Sequence, residues 1–186
     1  RNMVPRDIAQ ELECSFNASG ETVIHPDDLA RLDKCIVQPV YKTGFDRSLW
    51  IWEQYDSSFT YFVVADVARG DGADFSVFHV IKAETMEVVG EYQGKPTLGD
   101  FAKLLESVGR EHGECMIVVE NNSLGISILE KLQEMEYPNI YYSVKGTHEY
   151  INPTEAVHSD RTVPGFTTSS KTRPLIIAKL EEYIRN

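Results

Sequence analysis

From residue 61 onward the chain sets short apolar runs against polar punctuation. Tyr61-Phe62-Val63-Val64-Ala65 is an unbroken apolar run that stops at Asp66. Such a run predicts a strand buried on both faces. Ala68-Arg69-Gly70-Asp71-Gly72-Ala73-Asp74 is a Gly/Asp turn, and Phe75–Ile81 reads as the strand that returns. A second turn at Glu84-Thr85 leads into Met86–Tyr92, completing an antiparallel three-strand meander. The period then changes. Thr97–His112 carries Leu98, Phe101, Ala102, Leu104, Leu105 and Val108 on one helical stripe, with Thr97 or Asp100 as its cap and Gly113 just past its end. Cys115–Val119 is another buried strand and stops at Glu120. Leu124–Glu136 has the helical spacing again, Ile140–Val144 reads as a fifth strand, residues 145–170 are polar and aperiodic, and Pro174–Ile184 closes as a helix. The order β-β-β-α-β-α-β-loop-α predicts an α/β fold: a mixed five-stranded sheet of a meander plus β-α-β units, with helices on both faces and right-handed crossovers.

Residues 1–60 have weaker patterning. A short helix is expected over residues 8–14, a turn at Asn17-Ala18-Ser19-Gly20, a strand around Thr22–Ile24 and a helix from Pro26. Trp50, Trp52, Tyr55 and Phe59 are read as packing residues that cover one side of the main domain. The stretch therefore reads as an arm, with the domain proper at 61–186. The chain opens on Arg1 rather than Met, and is expected to be a fragment of a longer protein.

Composition is that of a globular domain, with 42% hydrophobic and 25% charged residues among 186. The charge alters the picture more. Lys and Arg number 18 against 29 Asp and Glu, for a net −11. A chain built to coat nucleic acid carries the opposite sign. The distribution is uneven, however: residues 61–160 hold 7 basic and 17 acidic side chains, whereas residues 161–186 hold 5 and 2. Cys14, Cys35 and Cys115 are odd in number and lack metal-ligand spacing, so reduced thiols are expected. No apolar run approaches the roughly 20 residues a bilayer span needs.

Two carboxylates are singled out by position. Asp66 and Glu120 each follow directly on a buried strand, where ligand sites of open α/β sheets gather. If the two strands are neighbours, the acids converge and repel one another unless a cation lies between them. Hard divalent ions such as Mg²⁺ or Mn²⁺ suit oxygen donors and assist phosphodiester hydrolysis. Asn121 and Asn122 stand where they orient Glu120, contact phosphate or cap the next helix. Lys171 and Arg173 open the last helix, where backbone N–H groups favour phosphate.

These residues carry a resemblance. Asp66-Val67-Ala68-Arg69-Gly70-Asp71-Gly72-Ala73-Asp74-Phe75-Ser76 resembles the first catalytic motif of the nuclease domain of tailed-phage large terminases, and Val118-Val119-Glu120-Asn121-Asn122-Ser123-Leu124-Gly125 resembles the second. Gly165–Arg173 is similar to the stretch before that family's final helices, and Ile8–Phe16 to the segment that joins its packaging ATPase to its nuclease. The resemblance implies a ribonuclease H-like fold and a metal-dependent endonuclease that cuts concatemeric double-stranded DNA. It implies a linker at 1–60 following an ATPase domain, and a nuclease domain at 61–186. It implies two divalent cations, with Asp66 as the bridging ligand, Glu120 as the second and Asp74 as the third choice of catalytic acid. The implied partners are DNA, the capsid portal and the small terminase subunit, in the host cytoplasm and away from membranes. One departure stands out: the family's third acid follows the final strand region, and no residue before Asn186 has that context, so a truncated and weakly active fragment is expected. Two other classes stay open on the residues alone. One is an actin-like or sugar-kinase-type ATP-binding fragment, since those proteins also place an acid and glycines in their first hairpin; the other is a non-catalytic module that docks on the portal.

Overall fold

The structure, a computed structural model, describes residues 24–70, 72–146, 149–156 and 160–185. The helix expected over 8–14 and the turn at 17–20 lie outside these residues, as do Asp71 and all but the last residue of the strand expected at Thr22–Ile24. The chain divides into two compact units.

The larger unit, Pro39–Thr168, is built on a six-stranded mixed sheet. Its strands are β1 (Tyr41–Thr43), β2 (Leu49–Ile51), β3 (Tyr61–Asp66), β4 (Ser76–Lys82), β5 (Glu87–Gly94) and β6 (Met116–Val119), in the spatial order β1-β2-β5-β4-β3-β6. The meander β3-β4-β5 is antiparallel throughout, and β6 lies parallel to β3. Helices α2 (Leu98–Glu111) and α3 (Ser123–Glu134) follow β5 and β6. Thr97 caps α2, its hydroxyl accepting from the Asp100 amide at 3.2 Å and donating to the Asp100 carboxylate at 2.7 Å.

The mixed α/β class is as expected, but the strand count is six rather than five, and the two long helices of this unit share one face of the sheet instead of covering both. Two strands come from the stretch read as an arm: β2 pairs with β5, and β1 with β2. The segment at 140–144 leaves the main sheet instead of extending it. Ile140 bridges to Ile117, and then β7 (Tyr142–Val144) pairs with β8 (Tyr150–Ile151) and β9 (Thr162–Pro164) in a separate three-stranded sheet. A short helix, α4 (Pro153–Ala156), joins β8 to β9.

Both crossovers, β5-α2-β6 and β6-α3-Ile140, step the same way along the sheet, so right-handed connections put α2 and α3 on one face. That face holds the core. Val63, Phe78, Val80, Phe101, Leu105, Ile117, Val119 and Leu129 are fully buried there. Each such side chain contributes about 1.5–3 kcal/mol by leaving water. The opposite face of β3 is more open than its apolar run suggests: Val64 is 39% exposed, and Asp66 is exposed too.

The smaller unit contains α1 (Pro26–Asp33) and α5 (Thr172–Arg185). His25 caps α1, its Nδ1 accepting from the Asp27 amide at 3.2 Å. The Arg31 guanidinium donates to the Ile184 carbonyl, which ties the two helices together. Leu175, Ile176, Leu180 and Tyr183, the apolar positions of α5, are exposed. No helix among the described residues is long and apolar enough to cross a membrane.

Candidate active site

Asp66 is the last residue of β3, and its side chain leaves the open face of the sheet. The turn behind it is pinned by Ser76 at the start of β4. The Ser76 hydroxyl accepts from the Ala68 amide at 3.0 Å and lies 3.3 Å from the Ala68 carbonyl, to which it donates. Ser76 is 1% exposed, so these bonds are made in a dry setting. Sequence reasoning left Ser76 without a role. The available signal was parity: Ser76 shares the buried face of β4 with Phe78 and Val80, where a hydroxyl needs a partner.

Glu120 follows β6 directly and is held by two other chain segments. Its amide donates to the Ala65 carbonyl on β3 at 3.2 Å. On the other side it bridges in parallel to Phe166, with the Phe166 amide donating to Val119 at 2.8 Å and the Asn121 amide donating to Phe166 at 2.9 Å. The register pairs Val64 with Val118 and Ala65 with Val119, so Asp66 and Glu120 are the next pair on one face of adjacent parallel strands. Neighbouring strands run about 4.8 Å apart, which brings the two acids side by side.

Two glycines make this packing feasible. A Cβ at Gly125, in the first turn of α3, would collide with the Glu120 carbonyl. Gly165 has φ +79°, and a Cβ there would come within 2.5 Å of the Val119 carbonyl. Asn122 does two jobs. Its Oδ1 caps α3 by accepting from the Leu124 and Gly125 amides at 3.2 and 2.9 Å, and its Nδ2 donates to Glu120 Oε2 at 3.4 Å. Asn121 points elsewhere, donating from Nδ2 to the Pro164 carbonyl at 3.1 Å.

Asp74 is exposed near the end of the Gly/Asp turn, and among the described residues no three His, Cys, Asp or Glu side chains gather into a metal-holding group. Lys171 and Arg173 are exposed at the start of α5, in the smaller unit. That helix start is closed by Ser169, whose Oγ accepts from the Thr172 amide at 3.1 Å.

The donor chemistry fits a hard divalent cation. Asp66 and Glu120 supply oxygen donors on an open face, and no ion pair among the described residues involves either acid. Two adjacent carboxylates without a protein counter-charge are the donor set that Mg²⁺-type ions take, with water completing the shell.

A mixed sheet with an antiparallel meander, a parallel strand added beside β3 and an acid at each of those two strand ends is a ribonuclease H-like fold. Within that class, the chain has the fold of a large-terminase nuclease domain. It superposes on the crystal structure of the large terminase nuclease from thermophilic phage G20c with bound magnesium at TM-score 0.59 and 19% identity, over 84% of this chain and 69% of that one. The cobalt-bound form of the same protein gives equal values. The zinc-bound form gives TM-score 0.57 and 18% identity over 85% and 76% of the two chains. No protein-family profile and no curated protein matches the sequence.

Proposed function

We propose that this chain is the nuclease module of a viral DNA-packaging motor, hydrolysing phosphodiester bonds of concatemeric double-stranded DNA with two divalent cations, Mg²⁺ or Mn²⁺. The observation that supports this most directly is the pairing of Asp66 and Glu120 on adjacent parallel strand ends, with no ion pair to either acid among the described residues. The likeness in fold to nuclease domains crystallised with divalent metals points the same way.

In this reading Asp66, as the shared ligand, and Glu120, as the second, would hold the ions, which would supply an activated water and offset charge on the leaving oxygen. Asn122 turns Glu120 by binding Oε2, which leaves Oε1 for the ion. Asp74 is the next acid in rank. Lys171 and Arg173 meet DNA phosphates. The motor context adds the portal and the small terminase subunit as partners.

The test is nicking of supercoiled plasmid DNA with Mg²⁺ or Mn²⁺, alongside calorimetry of ion binding. A catalytic cation contributes several kcal/mol, so Asp66→Ala and Glu120→Ala are expected to lower cleavage by about 10³-fold. Equal cleavage by wild type and Asp66→Ala would sink the assignment.

A further inference from the structure

The larger unit carries an open groove of about 1210 Å³, and neither acid lines it. It runs from the β1-β2 edge of the sheet, past the end of β5, to the first turn of α2. Three cations, Lys42, Arg47 and Lys95, line it together with three partly exposed aromatic rings, Phe45, Trp50 and Phe75. Phe45 is 87% exposed, a costly display of an apolar ring unless something flat covers it. The cations and rings alternate in space: the Lys42 ammonium sits 3.3 Å from the centre of the Trp50 ring, and that of Lys95 4.6 Å from the Phe75 ring. The groove's two carboxylates are already engaged, Glu91 with His79 at 3.1 Å and Asp100 with the Thr97 hydroxyl at 2.7 Å.

Strand register connects this groove to the acids. Gln93 pairs with Val77, and Val77 with Asp66. Gln93 therefore shares a face with Asp66 two strands away, about 10 Å at the usual spacing. Trp50 pairs with Glu91, Glu91 with His79 and His79 with Val64, so Lys42 and Trp50 lie on the same open face.

Cations that follow a backbone, interleaved with rings that accept bases of any identity, are the chemistry of single-strand binding. A duplex keeps its bases stacked inside and has no use for exposed rings. We propose that this groove holds an unpaired nucleic-acid strand leading from the acids, with phosphates on Lys42, Arg47 and Lys95 and bases against Phe45 and Phe75. The proposal deepens the nuclease reading by assigning a path to one strand of its substrate. It also offers a chain of net charge −11 a way to engage a polyanion: three of its 18 lysines and arginines share one groove.

The test uses the full chain with EDTA present, so that binding is separated from cleavage. Fluorescence anisotropy follows a labelled oligo(dT) of about twelve nucleotides, within the range one such site spans. Lys42→Ala with Lys95→Ala is expected to weaken binding about ten-fold and to flatten the salt dependence by about 0.7 per lysine. Phe45→Ala, at an exposed position that folding does not need, is expected to weaken it about five-fold or more. The groove assignment is overturned if oligo(dT) does not bind, if these variants bind normally, or if blunt duplex of equal length binds as tightly with the same dependence on Phe45. Lysine-dependent oligo(dT) binding without any metal-dependent cleavage would leave the groove standing and remove the nuclease reading. Cleavage that requires Asp66, with binding indifferent to the groove variants, would do the reverse.

Discussion

Asn122 shows how much one side chain settles at this site. It ends a loop, starts a helix and touches a proposed metal ligand through the two ends of one amide. Asn122→Ala removes the cap and is expected to cost about 1 kcal/mol of stability, read as a lower urea midpoint. Asn122→Asp retains a good cap, so its midpoint should stay near wild type. It also sets a second carboxylate against Glu120, so its metal-dependent activity should respond to pH differently from wild type. Cys115 makes a separate point. Burial pushes its thiol up to about 12, well above the ordinary value, so little thiolate forms near neutrality. Cys35 is exposed. Alkylation of the folded protein at pH 8, followed by peptide mapping, is expected to label Cys35 and spare Cys115. Labelling of both at equal rates would contradict the burial.

The elements differ in how readable they are from sequence. The meander and helices α2 and α3 are legible because each carries enough residues for its period to repeat. β1 and β2 have three residues each, too few to show an alternation, and their pairing with β5 is a tertiary fact. The apolar run at 140–144 reads correctly as extended chain, but a run does not name its partner. Here β8 and β9, two and three residues long, draw β7 away from the main sheet. The positions of Asp66 and Glu120 at strand ends were legible, while the Ser76 staple and the insertion of Gly165-Phe166 beside β6 depend on contacts across many residues. Those contacts are testable. Ser76→Ala leaves the buried Ala68 amide unpaired and should cost about 1–3 kcal/mol. Gly165→Ala has to displace the Val119 carbonyl or Leu129, and is expected to lower both the unfolding midpoint and cleavage, because Glu120 shifts with its strand.

On the scale of the whole molecule, the acids belong to a unit that is negative overall and carries its cations in a few places. On the proposed reading, metal binding is a stability term as well as a catalytic one. A ligand that binds only the folded chain stabilises it by about 2.7 kcal/mol at a hundred times its Kd. A thermal scan in Mn²⁺ is expected to raise the transition of wild type and leave that of Asp66→Ala unmoved. The threading of Glu120 has a further consequence in time. Its backbone is gripped by residue 65 on one side and by residue 166 on the other, so the pocket of acids is a junction of three distant stretches. Contacts of such long sequence separation form late, after loop closure has been overcome. On a ribosome, β3 and the meander emerge and pair well before Phe166 exists. The pairing of the two acids is thus completed late in synthesis: Glu120 is set in place only with the final clasp of Phe166 against β6.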